Sequence, residues 1–358
     1  MTLLFARRLM ESIMAASVAA LMALTQPALA AQGDGGHLKP VKTIAASRLV
    51  IDTPQGHAQF PLFLSDDWSV AQPQVTRAVI VIHGKLRNAD VYFRTAQNAR
   101  DAAHAEVAST LLIAPQFLAT LDTRAHGEAA DLLRWRGDAW MGGEAARGPL
   151  SISSYAVLDA IVAHLADRSM FPNLQHVVFA GHSGGAQVVQ RYALAARSMA
   201  TLTDEGIDVR FVVASPSTYA WFDALRPDAQ GVARPFDAAL CPGFNRWKYG
   251  MDDRPPYLDD RTPAQLEATY AARRIDYLVG GADDDPQQSA LDRSCAAEAQ
   301  GPQRVARAQA FYRYMQSRHP DGSTQHFHVV PGVGHDGARM LTSVCALAAM
   351  FDTAGCAP

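Results

Sequence analysis

The stretch His176-Val-Val-Phe-Ala-Gly-His-Ser-Gly-Gly185 decides how the rest of the sequence is interpreted. Its apolar residues 177–180 predict a short buried strand, and residues 186–197 predict a helix directly after it. Ser183 therefore lies at the tip of a strand–turn–helix unit, in the pattern G-x-S-x-G. Glycines suit such a turn because its backbone is strained and larger side chains would clash where helix meets strand. The alternative is an ordinary glycine-rich turn between a strand and a helix.

The composition is that of a folded α/β protein. The chain has 358 residues, of which 49% are hydrophobic and 19% are charged. This is enough for a large core in one domain or in two smaller ones. The formal net charge of -3 argues against nucleic acid or an anionic membrane surface as a partner.

The first 30 residues have the pattern of a secretory signal peptide. Arg7 and Arg8 precede the apolar residues 13–24, and Ala28-Leu-Ala30 forms a cleavage site with small residues at both ends. The apolar stretch is too short for stable membrane insertion, and no later stretch is long and apolar enough for a membrane helix. We therefore expect cleavage after Ala30, a periplasmic or secreted protein, and a flexible lead-in at residues 31–47.

Four cysteines follow the predicted signal peptide, and they allow three disulfide connectivities. We favour Cys241–Cys295 and Cys345–Cys356, because the second pair would fix the C-terminal tail to the last predicted helix. The alternative is that some cysteines stay reduced as buried apolar residues. The chain contains no C-x-x-C motif, which argues against zinc.

Strand and helix patterns alternate along the chain after a predicted edge hairpin at residues 49–53 and 58–64. Buried strands are predicted at 77–83, 110–114, 177–180, 209–214, 275–281 and 325–330, and helices at 91–104, 155–166, 186–197, 263–274, 304–318 and 338–351. This alternation predicts an α/β fold with a doubly wound, mostly parallel sheet, in a single domain over residues 48–358.

Two long segments lack clear strand or helix patterns. Residues 116–149 are predicted to form a long loop, which in a compact domain is often a functional surface. Residues 216–262 are rich in proline, glycine, aspartate and aromatic residues. We interpret this segment as a loop-rich insertion over the site.

Two polar residues after later strands could activate Ser183. A serine needs a base within hydrogen-bond reach, and the base needs an orienting acid. In open parallel sheets such groups collect at the carboxyl ends of strands. His335 follows the last predicted strand and Asp283 follows the strand before it, in the chain order Ser–Asp–His. Asp284 is the next candidate for the acid, because the G-x-x-D spacing fits both aspartates.

Other histidines and acids could suggest a metal site. His326 and His328 would share one face of a strand, but no companion ligand accompanies them. His319 lies at a predicted helix end and is expected at the surface. The acidic residues 283–285 lack the ligand spacing of a calcium loop. We therefore expect no metal and no organic cofactor.

A developing oxyanion needs two preset N–H donors. The first candidate is the amide of Gly184, directly after the serine. The second should come from the loop after residues 77–83, where Lys85 is the first candidate and Leu86 the next. His83 is expected to be structural, and Arg87 either holds this loop in shape or contacts substrate.

Four aromatic residues in the two long segments have two interpretations. Trp135, Trp140, Trp247 and Tyr249 could line an acyl or aromatic pocket. They could equally pack the long loops onto the body of the protein, and the sequence does not choose between the two roles.

With these motifs identified, the chain resembles the α/β-hydrolase superfamily over about residues 77–351. Within it, Gly281-Ala-Asp283 and the secretion signal resemble the extracellular esterase and polyhydroxyalkanoate-depolymerase-like branches. Leu291-Asp-Arg-Ser-Cys295, together with Gln300-Gly301, Arg304 and Arg307, is similar to a group of secreted bacterial and fungal hydrolases. The chain has Lys85-Leu86 where the lipase pattern has further glycines.

The resemblance implies a secreted serine hydrolase. It would cleave a small or polymeric carboxylic ester through an acyl-enzyme, with Ser183, His335 and Asp283 as the triad. A serine peptidase or amidase with the same triad is one alternative. The other is a non-catalytic binding protein on a hydrolase scaffold.

Overall fold

The computed structural model describes residues 35–320 and 324–356. The predicted signal peptide and residues 31–34 of the predicted lead-in lie outside this range. A short 3-10 turn, Gly35–Leu38, begins the described part of the chain. None of its helices combines the length and apolar character that crossing a bilayer would require.

The apolar, β-branched runs of the sequence form an eight-stranded sheet in the described residues. The edge hairpin is as predicted, with β1 (Ser47–Thr53) antiparallel to β2 (Gly56–Leu64). The strands that follow are β3 (Arg77–Ile82), β4 (Thr110–Pro115), β5 (His176–His182), β6 (Asp208–Ala214), β7 (Leu225–Pro227), β8 (Ala233–Pro235), β9 (Arg274–Gly280) and β10 (Gln325–Val330). Of these, β7 and β8 pair only with each other.

The large sheet has the order β1-β2-β4-β3-β5-β6-β9-β10. β2 is antiparallel to β4, and all the pairs from β4 to β10 are parallel. The predicted mostly parallel sheet is therefore confirmed. The direction of strand addition reverses at β3, which has β4 on one side and β5 on the other. Sites in such sheets lie at the carboxyl ends of the strands beside this reversal.

Both faces of the sheet are buried, as the continuous apolar strands predict. In β3, Ala78, Ile80 and Ile82 belong to the core on one face, whereas Val79 and Val81 belong to the core on the other face. Helices cover the two faces, which confirms the doubly wound arrangement. They are α1 (Ala89–Ala102), α2 (Thr120–His126), α3 (Ser154–Leu165), α4 (Gly184–Ala195), α5 (Met199–Thr203), α6 (Pro263–Ala271), α7 (Cys295–Glu298), α8 (Arg304–Arg318), α9 (Gly337–Leu341) and α10 (Val344–Phe351).

The segment predicted as a long loop, residues 116–149, contains helix α2 and a 3-10 turn at Ala139–Gly142. The buried carboxylate of Asp122 accepts hydrogen bonds from the N–H groups of Ala119 at 2.7 Å and Val41 at 2.9 Å. These contacts hold the start of α2 in place. One of them comes from a distant part of the chain, so local periodicity did not indicate this helix.

The predicted closing helix 338–351 is two helices, α9 and α10. Ser343 separates them, and its hydroxyl oxygen accepts a hydrogen bond from the N–H of Ala346 at 3.3 Å. A serine at this position satisfies an N–H that has no partner inside the new helix. The chain can therefore restart its helix in a new direction.

The predicted insertion, residues 216–262, contains more regular structure than the sequence indicated. It holds the β7–β8 ribbon and a 3-10 turn at Pro256–Leu258. Its description as an insertion over the site, and the domain boundaries as a whole, stay predictions.

The two disulfides join the pairs that we favoured. Cys241 is bonded to Cys295, at the first residue of α7, and Cys345 in α10 is bonded to Cys356. The first disulfide connects residues 216–262 to the segment between β9 and α8. The second holds the C-terminal tail against the last helix.

Candidate active site

Ser183 is the single residue between β5 and α4. Its backbone angles, φ 58° and ψ -119°, are strained for a residue with a side chain. The nearby residues Gly181 and Gly185 must be glycines, because a side chain at either position would clash with the backbone. A Cβ on Gly185 would lie 2.0 Å from the carbonyl oxygen of Ile82, and a Cβ on Gly181 would lie 2.4 Å from the carbonyl carbon of Gly185. The helix can begin beside Ser183 only because these positions have no side chain.

Three residues from distant parts of the chain form a continuous hydrogen-bonded row. The hydroxyl of Ser183 lies 2.9 Å from Nε2 of His335, and Nδ1 of His335 lies 2.8 Å from Oδ2 of Asp283. Asp283 follows β9 and His335 follows β10, so the parallel sheet brings them to the carboxyl end of β5. Of the two candidate acids, Asp283 is buried and contacts His335, whereas Asp284 is exposed.

Burial and the charges around this row favour a neutral histidine and an ionised aspartate. Burial lowers the pKa of His335, the hydrogen bond to Asp283 opposes this, and the charges of Arg304 and Lys85 lower the pKa further. Burial alone would raise the pKa of Asp283, but its hydrogen bond to His335 and the charge of Arg304 outweigh burial, and the pKa is lowered. A neutral imidazole can accept the proton of Ser183.

Arg304 is a residue of the site whose role the sequence analysis did not predict. Its guanidinium donates to Oδ1 of Asp283 at 3.1 Å, to Gln288 at 3.1 Å and to the hydroxyl of Ser217 at 3.2 Å. Arg304 is 1% exposed and Asp283 is 3% exposed, so this is a buried ion pair. Asp283 thus bonds Arg304 through one oxygen and His335 through the other.

The backbone of Lys85 approaches the first residue of α4. A Cβ on Gly184 would lie 2.9 Å from the backbone nitrogen of Lys85, so the two main chains are in close contact beside Ser183. The first N–H groups of a helix have no acceptor inside the helix. The backbone nitrogen of Lys85 thus lies beside the first residue of α4, and the role of the Gly184 and Lys85 N–H groups as oxyanion donors stays a prediction. Leu86, the other candidate, has a largely exposed side chain.

His83 is structural, as expected. It is fully buried, its Nδ1 donates to the carbonyl oxygen of Gly84 at 2.8 Å, and its Nε2 accepts from the N–H of Phe117 at 3.0 Å. Burial lowers the pKa of His83 to about 4, so the ring is neutral. Its two hydrogen bonds connect the loop after β3 to the chain after β4.

Arg87 holds the same loop in shape, which answers the question that the sequence left open. Its guanidinium forms a buried ion pair with Asp122 at 2.6 Å. It also donates to the carbonyl oxygens of His37 and Lys39, both at 2.8 Å. Because all three nitrogens of its guanidinium are hydrogen-bonded, Arg87 fixes the backbone beside Lys85.

A cavity of about 310 Å³ lies beside Ser183. Most of the residues around it are polar or charged, and few are apolar. They are His37, Lys85, Asp138, Met141, Ser183, Gly184, Gln187, Ser217, Lys248, Tyr249, Ala290, Leu291 and Asp292. Lys248 and Tyr249 come from the predicted insertion. The cavity is therefore not the apolar acyl pocket that aromatic residues would form.

Of the two roles left open for Trp135 and Trp140, the structure shows packing rather than pocket lining. Both are fully buried in the core, where their rings pack against Phe117. Trp247 is partly buried, and its indole N–H donates to the carbonyl oxygen of Gly142 at 2.6 Å. Tyr249 alone among the four aromatic candidates lines the cavity.

His319 and His328 are not among the residues that line the cavity beside Ser183. His319 is near the surface and contacts Glu267 at 3.0 Å. His328 lies beside the Cys345–Cys356 disulfide, 3.3 Å from the sulfur of Cys356. In the described part of the chain, His328 and these two cysteines are the group whose donor atoms are close enough for a metal. Both cysteine sulfurs are already bonded to each other, so the group does not supply three free ligands.

No protein-family model and no curated protein matches the chain. Solved structures do match it. The chain is similar to the poly(3-hydroxybutyrate) depolymerase LpqC from Bordetella parapertussis, with 24% identity, a TM-score of 0.58, and coverage of 86% of this chain and 91% of that chain. It is also similar to poly(aspartic acid) hydrolase-1 from Sphingomonas sp. KT-1, with 21% identity, a TM-score of 0.53, and coverage of 84% and 96%. Together with the sheet order and the sharp turn at Ser183, these similarities give the chain the α/β-hydrolase fold.

Proposed function

We propose that this protein is a serine hydrolase that cleaves carboxylic esters through an acyl-enzyme on Ser183. The observation that carries the proposal is the hydrogen-bonded row from Ser183 through His335 to Asp283, with separations of 2.9 and 2.8 Å. A serine hydroxyl is a weak nucleophile until a base takes its proton. An imidazole held by a buried carboxylate is such a base.

The reaction follows from these contacts. Nε2 of His335 takes the proton of Ser183 as the hydroxyl oxygen attacks the ester carbonyl carbon. The imidazolium is stabilised by Asp283 and gives the proton to the leaving alcohol oxygen as the ester bond breaks. Water then enters, His335 takes one of its protons, and the acyl group leaves Ser183 as a carboxylic acid.

The negative charge that develops on the carbonyl oxygen needs donors that are already in place. The N–H groups of Gly184 and Lys85 are the candidates, because their backbones are in contact next to Ser183. The start of α4 also favours negative charge there. Fixed donors of this kind stabilise the tetrahedral intermediate without reorganisation.

The names of the similar structures support a hydrolase and suggest two substrate classes. One is named for the polyester poly(3-hydroxybutyrate), which supports an ester substrate, small or polymeric. The other is named for poly(aspartic acid), a polyamide, so amide cleavage by the same residues is the second candidate.

The protein is proposed to act in the periplasm or outside the cell. Its two disulfides support this location, because disulfides persist in oxidising compartments. The predicted signal peptide would direct it there.

Hydrolysis of p-nitrophenyl acetate and p-nitroacetanilide tests the proposal, because the two share an acetyl group and differ in the ester or amide bond to the p-nitrophenyl ring. We expect the ester to be cleaved much faster, and Ser183→Ala to lower kcat at least about 10⁴-fold. Ser47→Ala, at an exposed serine at the start of β1, is the matched control and should keep normal turnover. Normal turnover by Ser183→Ala would refute the mechanism, and a preference for the anilide would favour the amidase.

A further inference from the structure

Gln187 lies one helical turn after Ser183 and lines the cavity beside it. Only 6% of the residue is exposed. Its carboxamide oxygen accepts hydrogen bonds from both terminal nitrogens of Arg191, each at 3.1 Å, and from the hydroxyl of Thr218 at 3.0 Å. A guanidinium only donates, so the oxygen of Gln187 must face Arg191. Its NH₂ group must then point the other way.

Within the described residues, the structure shows no hydrogen bond from the NH₂ group of Gln187. Because the oxygen is fixed by three donors, the side chain cannot flip to exchange its two ends. The network therefore holds an unpaired hydrogen-bond donor about 5–6 Å along the helix from the side chain of Ser183. A donor of this kind beside a cavity can be completed by a ligand or by solvent.

The charges around the cavity are balanced except at Lys85. The ammonium of Lys248 lies 3.5 Å from the carboxylate of Asp138. The carboxylate of Asp292 accepts from the hydroxyl of Tyr249 at 2.8 Å, and the charge of the buried Arg307 acts on it. In the part of the chain that the structure describes, Lys85 has no carboxylate partner within salt-bridge distance.

The residues around the cavity indicate which side of the scissile bond it serves. It is lined by Gly184 and Lys85, whose N–H groups are the candidates for holding the carbonyl oxygen. His335, which would protonate the leaving alcohol, is not among the described residues that line it. This lining favours a group attached to the carbonyl carbon over one attached to the alcohol oxygen.

We propose that the cavity binds the far end of an acyl chain that carries a carboxylate, with Gln187 and Lys85 as the residues that recognise it. The NH₂ of Gln187 donates one hydrogen bond to the carboxylate, and the ammonium of Lys85 supplies the opposite charge. The proposal rests on the ester hydrolase proposed above. It narrows the substrate to esters of dicarboxylic acids.

A pair of methyl esters with five-carbon acyl chains tests this specificity. Methyl pentanoate ends in a methyl group, and monomethyl glutarate ends in a carboxylate. Proton release in a pH-stat should give a kcat/KM for monomethyl glutarate at least about tenfold above that for methyl pentanoate. The advantage should shrink at high salt, because salt screens the charge of Lys85. An equal or reversed preference in the wild-type protein overturns the proposal.

Gln187→Glu is the most direct test of Gln187. It keeps the shape of the side chain and the oxygen that faces Arg191, but replaces the NH₂ donor with a negatively charged oxygen. The ratio of the two kcat/KM values should fall at least about 30-fold. Gln187→Leu removes the donor without adding charge and should lower the ratio by a smaller factor. A ratio is independent of the folded fraction, so a loss of stability does not mimic the effect. An unchanged ratio in both variants overturns the role of Gln187.

Labelling with a fluorophosphonate separates this proposal from the hydrolase itself. A protein that is not labelled at Ser183 refutes the hydrolase. A protein that is labelled but hydrolyses neither methyl ester, or prefers methyl pentanoate, refutes only the proposed acyl specificity.

Discussion

Arg304 is the residue whose charge most directly influences the row of hydrogen bonds from Asp283 to Ser183. It occupies Oδ1 of Asp283 and leaves Oδ2 to His335. A carboxylate held at both oxygens cannot rotate, so the imidazole has one favoured orientation. Arg304 does not touch the proposed reacting atoms, and it is therefore a positioning residue.

Replacing Arg304 should change the pH dependence of the reaction. Its charge lowers the pKa of His335, which must be neutral to act as a base. In Arg304→Met the pKa of His335 should rise, so more of the imidazole is protonated as the pH falls. We expect kcat/KM to drop at least about tenfold at pH 6 and by a smaller factor at pH 8. The pH profile of ester hydrolysis measures this.

Arg304→Lys is the matched control, since it keeps the positive charge but has a single ammonium nitrogen in place of the guanidinium. In Arg304→Lys, the fall of kcat/KM at low pH should stay near that of the wild type. If Arg304→Met lowers activity by the same factor at every pH, the charge of Arg304 does not set the pKa of His335.

The sequence pointed to Ser183, His335 and Asp283 because each follows a buried strand in a parallel sheet. It could not choose firmly between Asp283 and Asp284, since the G-x-x-D spacing can be counted from Gly280 to Asp283 or from Gly281 to Asp284. Arg304 comes 21 positions after Asp283 and meets it only through packing of α8 on the sheet. The sequence could not choose between a pocket role and a packing role for Trp135 and Trp140, because core and pocket tryptophans look alike in a sequence.

At the scale of elements, the contact between β5, α4 and β3 depends on glycine. Gly185→Ala should destabilise the protein strongly, because its Cβ would lie 2.0 Å from a backbone oxygen of β3. The backbone cannot yield easily, so we expect a loss of about 3 kcal/mol or more in the free energy of unfolding. Urea denaturation followed by fluorescence measures this.

Gly243→Ala is the matched control. Its nearest contact would be a side-chain carbon of Arg246 at 3.7 Å, which is an ordinary separation. The free energy of unfolding should change by no more than about 0.5 kcal/mol. Equal stability of Gly185→Ala and Gly243→Ala would mean that close packing at the turn does not explain Gly185.

The parallel strands were predictable because each is a short apolar run bounded by turn residues. Two helical elements were not. Helix α2 owes its position to Asp122, which bonds Val41 and Arg87 across the molecule. The break between α9 and α10 depends on the N-cap at Ser343, which the apolar pattern of residues 338–351 concealed.

At the scale of the whole molecule, the two disulfides close loops of very different length. Cys241–Cys295 spans 54 residues and Cys345–Cys356 spans 11. A longer loop restricts the unfolded chain more. Replacing Cys241 and Cys295 by alanine should therefore cost about 1.4 kcal/mol more stability than replacing Cys345 and Cys356.

Chemical denaturation of the two double variants measures the difference. The Cys241–Cys295 variant should also have an altered KM, because its disulfide is close in sequence to Lys248 and Asp292 of the cavity. A larger loss of stability in the Cys345–Cys356 variant would show that native packing, rather than chain entropy, dominates.

The central claim is that His335 makes the hydroxyl of Ser183 nucleophilic. Intact-protein and peptide mass spectrometry after treatment with a fluorophosphonate tests it most directly. We expect one adduct, located on Ser183, absent in Ser183→Ala and formed at least about 100-fold more slowly in His335→Ala. An adduct on another serine, or equally fast labelling of Ser183 in His335→Ala, would contradict the account.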